Sequence, residues 1–219
     1  MRHPPPISAV LFDLDGVLTD TAHAHYAAWK RLADELGVPF DEATNEALKG
    51  VDRMGSLDLL LRHGGLSVDQ AGREALASRK NGWYLEAIQA YGPADLFPGA
   101  REALYAVRGA GLRSALCSAS RNAPVLIDRL GIANLFDVVV DPASVAHGKP
   151  APDIFLAAAR RLDMSPDRCL GVEDAPAGVA AIHAAGMFAI GIGDPQVLSD
   201  ADRVIPSIAD FRLEDYHAR

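Results

Sequence analysis

The sequence predicts an α/β protein in which helices flank a parallel sheet and a helical cap is inserted after the first strand. Residues 9–12 form an apolar run short enough for a buried strand. From about residue 20 to residue 93, the apolar pattern has helical spacing only. From residue 98 onward, strand-like and helix-like segments alternate, which is typical of a parallel sheet. We therefore divide the chain into a core, residues 1–18 and 95–219, and a cap, residues 19–94.

The first predicted strand ends in two carboxylates. Side chains on a strand alternate between faces, so Asp13 and Asp15 can project together while Leu14 points into the core. Close carboxylates repel each other unless a cation or proton lies between them, and Gly16 allows a sharp turn beside a ligand. This pattern indicates a hard-cation site beside an aspartate that can act as a nucleophile. For an isolated pair of aspartates, however, a strand followed by a polar turn is the commoner explanation.

The remaining elements follow from periodicity and from helix-breaking residues. In the cap we expect helices at residues 22–36, 41–48, 56–62 and 68–90, separated at Gly37, Gly50 and Gly64. In the core we expect helices at residues 99–108, 125–130, 153–162 and 177–185. The expected core strands are residues 112–117, 136–140, 169–172 and 188–192, with 204–205 as a candidate edge strand.

Acidic and hydroxyl residues follow several of these strands. Ligands of parallel sheets bind outside the carboxyl ends of the strands, where the sequence places Asp13, Asp15, Ser118, Glu173 and Asp174. Phosphoryl transfer needs a nucleophile, a cation, donors for the phosphate oxygens and a proton shuttle. Asp13 fits the nucleophile and Asp15 the acid or base. Glu173 and Asp174 would complete an oxygen-rich Mg²⁺ site with Asp13.

Two further motifs could serve a phosphate. Ser118, with the amides of Ala119 and Ser120, could cradle phosphate oxygens, and Lys149 could neutralise both the aspartate and the phosphate. Each motif has a plainer explanation when it is considered alone. Ser118 could be a helix cap, Lys149 a surface lysine, and the acidic pair at 173–174 a cap on the following helix. Their joint placement at strand ends favours a catalytic site over these plainer explanations.

Composition restricts the partners. The 219 residues are 49% hydrophobic and 23% charged, with a formal net charge of −8, as in ordinary globular proteins. An acidic surface disfavours nucleic acid and anionic membranes, no apolar run reaches transmembrane length, and the N-terminus lacks the apolar stretch of a secretion signal. The two cysteines, Cys117 and Cys169, lie in apolar segments and are expected to be buried and reduced. We expect a cytoplasmic monomer that acts on a small molecule.

Taken in order, the motifs resemble those of the haloacid dehalogenase superfamily; they are Asp13–Gly16, Ser118, Lys149–Pro150 and Glu173–Asp174. The resemblance covers nearly the whole chain. It implies a Rossmann-like core with a helical cap and Mg²⁺-dependent phosphoryl transfer through an aspartyl-phosphate on Asp13, with Asp15 as general acid/base. It also implies a set of metal ligands, namely Asp13, Asp15, Glu173 and Asp174.

Within that superfamily, residues 12–29, 48–53, 79–81, 118–122 and 149–155 resemble the β-phosphoglucomutase family. The resemblance implies a substrate site made by the cap and by loops of the core: His25, Gly50, Arg53, Lys80, Asn81, Ser118, Ala119, Ser120, Asn122 and Lys149. Arg53, Ser120 and Asn122 would hold the distal phosphate of a bisphosphate, and Thr21 would be a hinge. Ala175 departs from the usual serine, which should alter hydrogen bonding around the metal without removing the metal. Considered singly, the cap residues also suit solvent-facing helix positions.

The implied reaction interconverts β-D-glucose 1-phosphate and β-D-glucose 6-phosphate through glucose 1,6-bisphosphate. A sugar-phosphate phosphatase is the alternative, because the core motifs serve both activities. A signalling receiver phosphorylated on an aspartate is a hypothesis from another class of protein. Receivers also carry carboxylates at parallel strand ends but lack a large helical insert, so residues 19–93 argue against this hypothesis.

Overall fold

A computed structural model describes residues 6–216. Within that range, six strands form one parallel sheet in the order β3-β2-β1-β4-β5-β6. The strands are β1 (Ala9–Phe12), β2 (Arg113–Leu116), β3 (Val138–Val139), β4 (Cys169–Glu173), β5 (Phe188–Ile192) and β6 (Arg203–Ile205). The strand order runs outward in both directions from β1, so the topological switch point, where such sheets bind ligands, lies beside β1. The predicted α/β fold is confirmed.

The register of the central strands brings their carboxyl ends level. Phe12 at the end of β1 pairs with Leu116 on β2 and with Val172 on β4. Asp13 directly follows β1 and Glu173 is the last residue of β4, and the Asp13 amide donates a hydrogen bond to the Val172 carbonyl at 3.0 Å. Strand pairing alone therefore places these two carboxyl groups side by side.

Alternation along β1 divides the core between the two faces of the sheet. Val10 and Phe12 pack on one face with α5 (Ala100–Gly109) and α6 (Ala123–Arg129). Ala9 and Leu11 pack on the other face with α7 (Asp153–Arg161) and α8 (Pro176–Ala184). All four side chains of β1 are buried, which is why this strand is a continuous apolar run in the sequence.

Four helices lie between β1 and β2: α1 (Ala22–Leu36), α2 (Glu42–Glu46), α3 (Arg53–His63) and α4 (Gln70–Ile88). Helix α4 packs on both α1 and α3. Their apolar faces form a cluster separate from the two clusters on the sheet, around Trp29, Leu32, Leu57 and Leu60. The expected helical insert is thus present. A signalling receiver lacks such an insert, so the fold argues against the receiver hypothesis. The division into domains at residues 18/19 and 94/95 stays a prediction.

Some element boundaries differ from the prediction. Helix α3 begins at Arg53 and not at residue 56, because the Asp52 carboxylate accepts hydrogen bonds from the Met54 and Gly55 amides at 2.9 and 3.1 Å. The helix expected at residues 41–48 is limited to α2. The strand expected at 136–140 is shortened to β3, because the Phe136 amide bonds back to Ala133 in the preceding turn.

Cys117 and Cys169 are buried free thiols, as expected. Over residues 6–216, no helix combines the length and the apolar content needed to cross a membrane.

Candidate active site

Three carboxylates meet at the edge of the sheet. Asp13 follows β1, while Glu173 ends β4 and Asp174 follows it. One carboxylate oxygen from each lies within 4.8 Å of the other two. Gly16 makes this approach possible, because its φ is +79° and a β-carbon there would come within 2.0 Å of Asp174 Oδ2. An all-oxygen group of this spacing suits a hard divalent cation such as Mg²⁺.

Lys149 is buried against this carboxylate group. Its Nζ lies 2.7 Å from Asp13 Oδ1 and forms a second ion pair with Glu173. Burial by itself lowers the pKa of Lys149, but the two carboxylates outweigh burial and raise it, so the ammonium stays charged. The side chain is only 1% exposed, so the explanation as a surface lysine is wrong. Lys149 neutralises part of the charge at the sheet edge.

The remaining acidic charge is poorly compensated by protein groups. Burial, followed by the charge of Asp13, raises the pKa of Asp15 to about 6. Burial also raises the pKa of Glu173 to about 7 and raises that of Asp174. Raised carboxyl pKa values mean that the ionised forms lack sufficient positive charge nearby. A divalent cation held by Asp13, Glu173 and Asp174 would supply that charge.

The fourth expected ligand, Asp15, does not belong to this carboxylate group. Its Oδ1 accepts a hydrogen bond from the hydroxyl of Thr21, and its Oδ2 lies 3.5 Å from Ser118 Oγ. Thr21 is fully buried immediately before α1, where the chain leaves the core for the cap. The structure therefore places the carboxylate of Asp15 beside the proposed hinge, while that of Asp13 belongs to the carboxylate group.

The loop after β2 is held by its own hydroxyl groups. Ser118 Oγ accepts a hydrogen bond from the Ser120 amide at 3.1 Å, and Ser120 Oγ accepts one from the Asn122 amide at 3.2 Å. Helix α6 begins after Asn122, so Ser118 is not its N-terminal cap. The Asn122 side chain donates to Asn81 Oδ1 on α4 at 2.8 Å. Two residues predicted to bind substrate thus join the cap to the core.

A basic pair from the cap faces the core. Lys80 Nζ on α4 lies 2.9 Å from His25 Nδ1 on α1 and 4.6 Å from the centre of the Trp29 ring. Burial, and then the charge of Arg53, lowers the pKa of Lys80 to about 7. Burial, and then the charge of Lys80, lowers the pKa of His25, so its Nδ1 is a neutral acceptor for the ammonium. Lys80 is 3% exposed, which contradicts a solvent-facing position for this residue.

One cavity of about 330 Å³ connects these groups. Its lining includes most of the predicted site residues: Asp13, Asp15, His25, Gly50, Arg53, Lys80, Asn81, Ala119, Ser120, Asn122 and Asp174. The other three, Ser118, Lys149 and Glu173, are buried residues outside the lining. Arg121 also lines the cavity and was not predicted, although it lies within the predicted loop. Burial, and then the positive charge of Arg121, lowers the pKa of Arg53, so this end of the cavity favours an anion.

The residue that departs from the expected pattern, Ala175, lies beside Glu173 and Gly50. Ala175 is buried, and its amide hydrogen lies toward Glu173 Oε2, at an N···O distance of 3.3 Å. A β-carbon placed on Gly50 of the cap would lie 3.1 Å from the Ala175 methyl group. The backbone at residue 175 therefore still donates to the acidic group, and the alanine methyl group leaves little room for a side chain at Gly50.

A family model described as haloacid dehalogenase-like hydrolase matches residues 7–186. The chain therefore belongs to the haloacid dehalogenase-like hydrolase family, a family of enzymes, as the order of its motifs predicts.

Known relatives narrow the assignment within that family. The beta-phosphoglucomutase of Bacillus subtilis (strain 168) is 45% identical over 213 residues, which cover 96% of this chain and 94% of the relative. A crystal structure of beta-phosphoglucomutase from Clostridium difficile matches with a TM-score of 0.94 and 39% identity over 96% of this chain and 97% of that one. A phosphorylated carbohydrates phosphatase of Thermotoga maritima is 32% identical over 186 residues, covering 83% of this chain and 82% of the relative. The matches group the chain with the β-phosphoglucomutases and leave related phosphatases as the alternative.

Proposed function

We propose that the protein interconverts β-D-glucose 1-phosphate and β-D-glucose 6-phosphate through an aspartyl-phosphate and glucose 1,6-bisphosphate. The observation that carries the proposal is the composition of one cavity. Carboxylates of the sheet edge lie on its core side, and Arg53, Lys80 and Asn81 contribute from the cap. A bisphosphate needs one site for the reacting phosphate and another for the distal phosphate, and this cavity offers polar groups for both.

Asp13 is the proposed nucleophile. In its phosphorylated form it gives the phosphoryl group to one sugar hydroxyl, and the resulting bisphosphate turns over in the site. A carboxylate oxygen of Asp13 then attacks the other phosphorus, and the new aspartyl O–P bond forms as the sugar O–P bond breaks. Asp13, Glu173 and Asp174, with Asp15 expected as a further ligand, would hold Mg²⁺, which when bound would supply positive charge for the transferring phosphate. Lys149 contributes a further buried positive charge next to Asp13.

Asp15 is the proposed general acid/base. It protonates the sugar oxygen when the sugar leaves and removes the proton when a hydroxyl attacks. Its pKa, raised to about 6 by burial and by Asp13, suits a group that must both give and take a proton near neutral pH. The Asp15 carboxylate accepts its hydrogen bond from Thr21, which connects this role to the junction between core and cap.

The cap residues separate a mutase from a hydrolase in this proposal. Arg53, Ser120 and Asn122 bind the distal phosphate, while His25 and Lys80 bind the reacting end. The hydrogen bond between Asn81 and Asn122 helps to hold the cap against the core. A closed cap excludes water, which would otherwise hydrolyse the aspartyl-phosphate.

The deciding experiment follows both products. The enzyme is given β-glucose 1-phosphate, Mg²⁺ and a catalytic amount of glucose 1,6-bisphosphate, and glucose 6-phosphate and free phosphate are measured together. We expect glucose 6-phosphate to dominate, with α-glucose 1-phosphate turned over far more slowly. If free phosphate is the main product, the protein is a sugar-phosphate phosphatase and the mutase proposal fails.

A substitution at the distal site tests the cap assignment. Arg53→Ala should reduce mutase turnover much more than hydrolysis of a small aryl phosphate, which has no second phosphate. The matched control is Arg62→Ala, since Arg62 lies on the same helix and is exposed. Equal losses of both activities in Arg53→Ala would count against the distal-phosphate role.

The identity of the metal, the monomeric state and the cytoplasmic location belong to the same proposal. Mg²⁺ is favoured because the cluster offers carboxylate oxygens only. After chelation, we expect Mg²⁺ to restore activity. Gel filtration coupled to light scattering checks the monomer, and fractionation of the source cells checks the location.

A further inference from the structure

The cap and the core approach each other closely at two residues to which the reaction above gives no role, Asp52 and Gly148. Asp52 immediately precedes α3 in the cap, and Gly148 immediately precedes Lys149 in the core. A β-carbon placed on Gly148 would lie 2.8 Å from Asp52 Oδ2, a separation that β-carbons in folded proteins essentially never show. The cap residue therefore occupies the space that a side chain at residue 148 would need.

The backbone of Gly148 does not itself require a glycine. Its φ lies outside the left-handed region, so alanine could adopt the same conformation without strain. The three atoms nearest to a β-carbon at this position all belong to Asp52. The neighbouring cap residue, and not the path of the chain, therefore explains why a glycine fits here.

Asp52 is not free to move aside. Its Oδ1 accepts hydrogen bonds from the amides of Met54 and Gly55 at 2.9 and 3.1 Å, which fixes the carboxylate at the start of α3. Moving the carboxylate would cost those bonds and disturb the first turn of the helix, on which Arg53 lies. A methyl group at residue 148 would therefore displace either this turn or the whole cap from the core.

The same segment of the cap approaches a second loop of the core. Gly50 lies two residues before Asp52, and a β-carbon there would lie 3.1 Å from the methyl group of Ala175. Residues 50–52 thus approach both the loop that ends at Lys149 and the loop that follows β4. A displacement of this segment would change the fit of the cap at both loops.

A second cavity, of about 400 Å³, adjoins the contact between Asp52 and Gly148. Both residues line it, and Arg53 and Arg121 line this cavity as well as the main one. It is large enough for several water molecules, each of which takes about 30 Å³ in the liquid. If Asp52 and Gly148 moved apart, this side of the substrate site would become more open to water.

We propose that Gly148 is the surface on which Asp52 docks when the cap closes, and that this contact favours transfer of the phosphoryl group to the sugar over transfer to water. In both transfers the aspartyl O–P bond of Asp13 breaks, a new O–P bond forms to the attacking oxygen, and the proton of that oxygen passes to Asp15. Only close approach of the cap excludes water. The proposal rests on the proposed function, and it makes Gly148 and Asp52 positioning residues.

The first test adds one methyl group. In the assay with β-glucose 1-phosphate, Mg²⁺ and catalytic glucose 1,6-bisphosphate, Gly148→Ala should raise the ratio of free phosphate to glucose 6-phosphate about tenfold, because overpacking disfavours the closed cap. The matched control is Gly109→Ala. Gly109 also lacks a positive φ, and a β-carbon there would meet no atom within 4 Å, so the ratio should not change. A wild-type ratio in Gly148→Ala would overturn the inference.

The second test asks whether the methyl group acts through Asp52. Serine at residue 52 can still accept the hydrogen bonds that begin α3, but it is shorter and lacks the second carboxylate oxygen. Gly148→Ala should therefore change the product ratio less than about twofold in an Asp52→Ser background. A general loss of folding would not be rescued in this way. Equal effects of Gly148→Ala in both backgrounds would overturn the inference.

A readout without turnover separates this inference from the mutase function. Hydrogen exchange of residues 50–55 is measured with saturating glucose 1,6-bisphosphate and EDTA, and we expect faster exchange in Gly148→Ala than in the wild type or in Gly109→Ala. If the wild type makes no glucose 6-phosphate, the mutase function is refuted, and unchanged exchange in Gly148→Ala would then overturn the inference as well. If the wild type makes glucose 6-phosphate, the product ratio decides.

Discussion

Replacing Lys149 by methionine should destabilise the protein far more than replacing an exposed lysine. Lys149 Nζ makes two ion pairs, one of them at 2.7 Å to Asp13, and its side chain is 1% exposed. Removing one partner of a buried ion pair leaves charge without compensation and costs about 3–5 kcal/mol. For a chain of this size, each kcal/mol moves Tm by roughly 2–4 °C. We therefore expect Tm to fall by roughly 6–20 °C.

The assay is thermal unfolding followed by circular dichroism, with EDTA present so that no metal replaces the lost charge. Lys30→Met is the matched control. Lys30 pairs with Asp34 one turn along α1, but the two side chains are 39% and 59% exposed, and such pairs contribute about 0.3–0.5 kcal/mol. Mg²⁺ should then raise the Tm of Lys149→Met more than that of the wild type, because it restores positive charge. If Lys149→Met has the same Tm as Lys30→Met, the charge balance described for the sheet edge is wrong.

Three further predictions concern catalysis and the metal. Asp13→Asn should abolish turnover and leave the circular dichroism spectrum unchanged; retained activity would refute the nucleophile. Because the pKa of Lys80 is lowered to about 7, its side chain is charged below that pH and neutral above it. The positive charge that binds the phosphate therefore disappears as pH rises, and KM should increase between about pH 6 and pH 8.5. Lys80→Arg should flatten that rise because guanidinium stays charged, and parallel pH profiles would contradict this role. Gly16→Ala should abolish Mg²⁺ binding measured by calorimetry, because the new β-carbon would collide with Asp174. The control is Gly37→Ala: Gly37 has a similar φ, but a β-carbon there would meet no atom within 4 Å, so this variant should bind Mg²⁺ normally.

Local patterns in the sequence were sufficient to predict the parallel sheet and the acidic residues at its edge. The apolar run before Asp13 has to be buried on both faces, and parallel crossovers bring the ends of such strands to the same edge. Glu173 follows a second run of this kind, so its meeting with Asp13 could be predicted without knowing any long-range contact. The helical insert was predictable for a similar reason, because helical periodicity is a property of neighbouring residues.

Tertiary structure decided the orientation of individual side chains. Lys149 appeared compatible with the surface until the fold placed two carboxylates against it. The carboxylate of Asp15 bonds to Thr21, because the chain turns toward the cap at that point, and the place of Asp15 among the metal ligands stays a prediction. These outcomes depend on contacts between segments far apart in the chain or on the exact path of a loop, which residue spacing does not determine.

The clearest contrast is between Asp13 and Tyr84. The place of Asp13 follows from strand alternation and from the residues beside it, so the sequence by itself determined where this carboxylate lies. The place of Tyr84 beside His25 depends on how α4 packs against α1. Only that packing brings a tyrosine from residue 84 next to a histidine from residue 25, because periodicity specifies which face of a helix is buried but not which partner it meets.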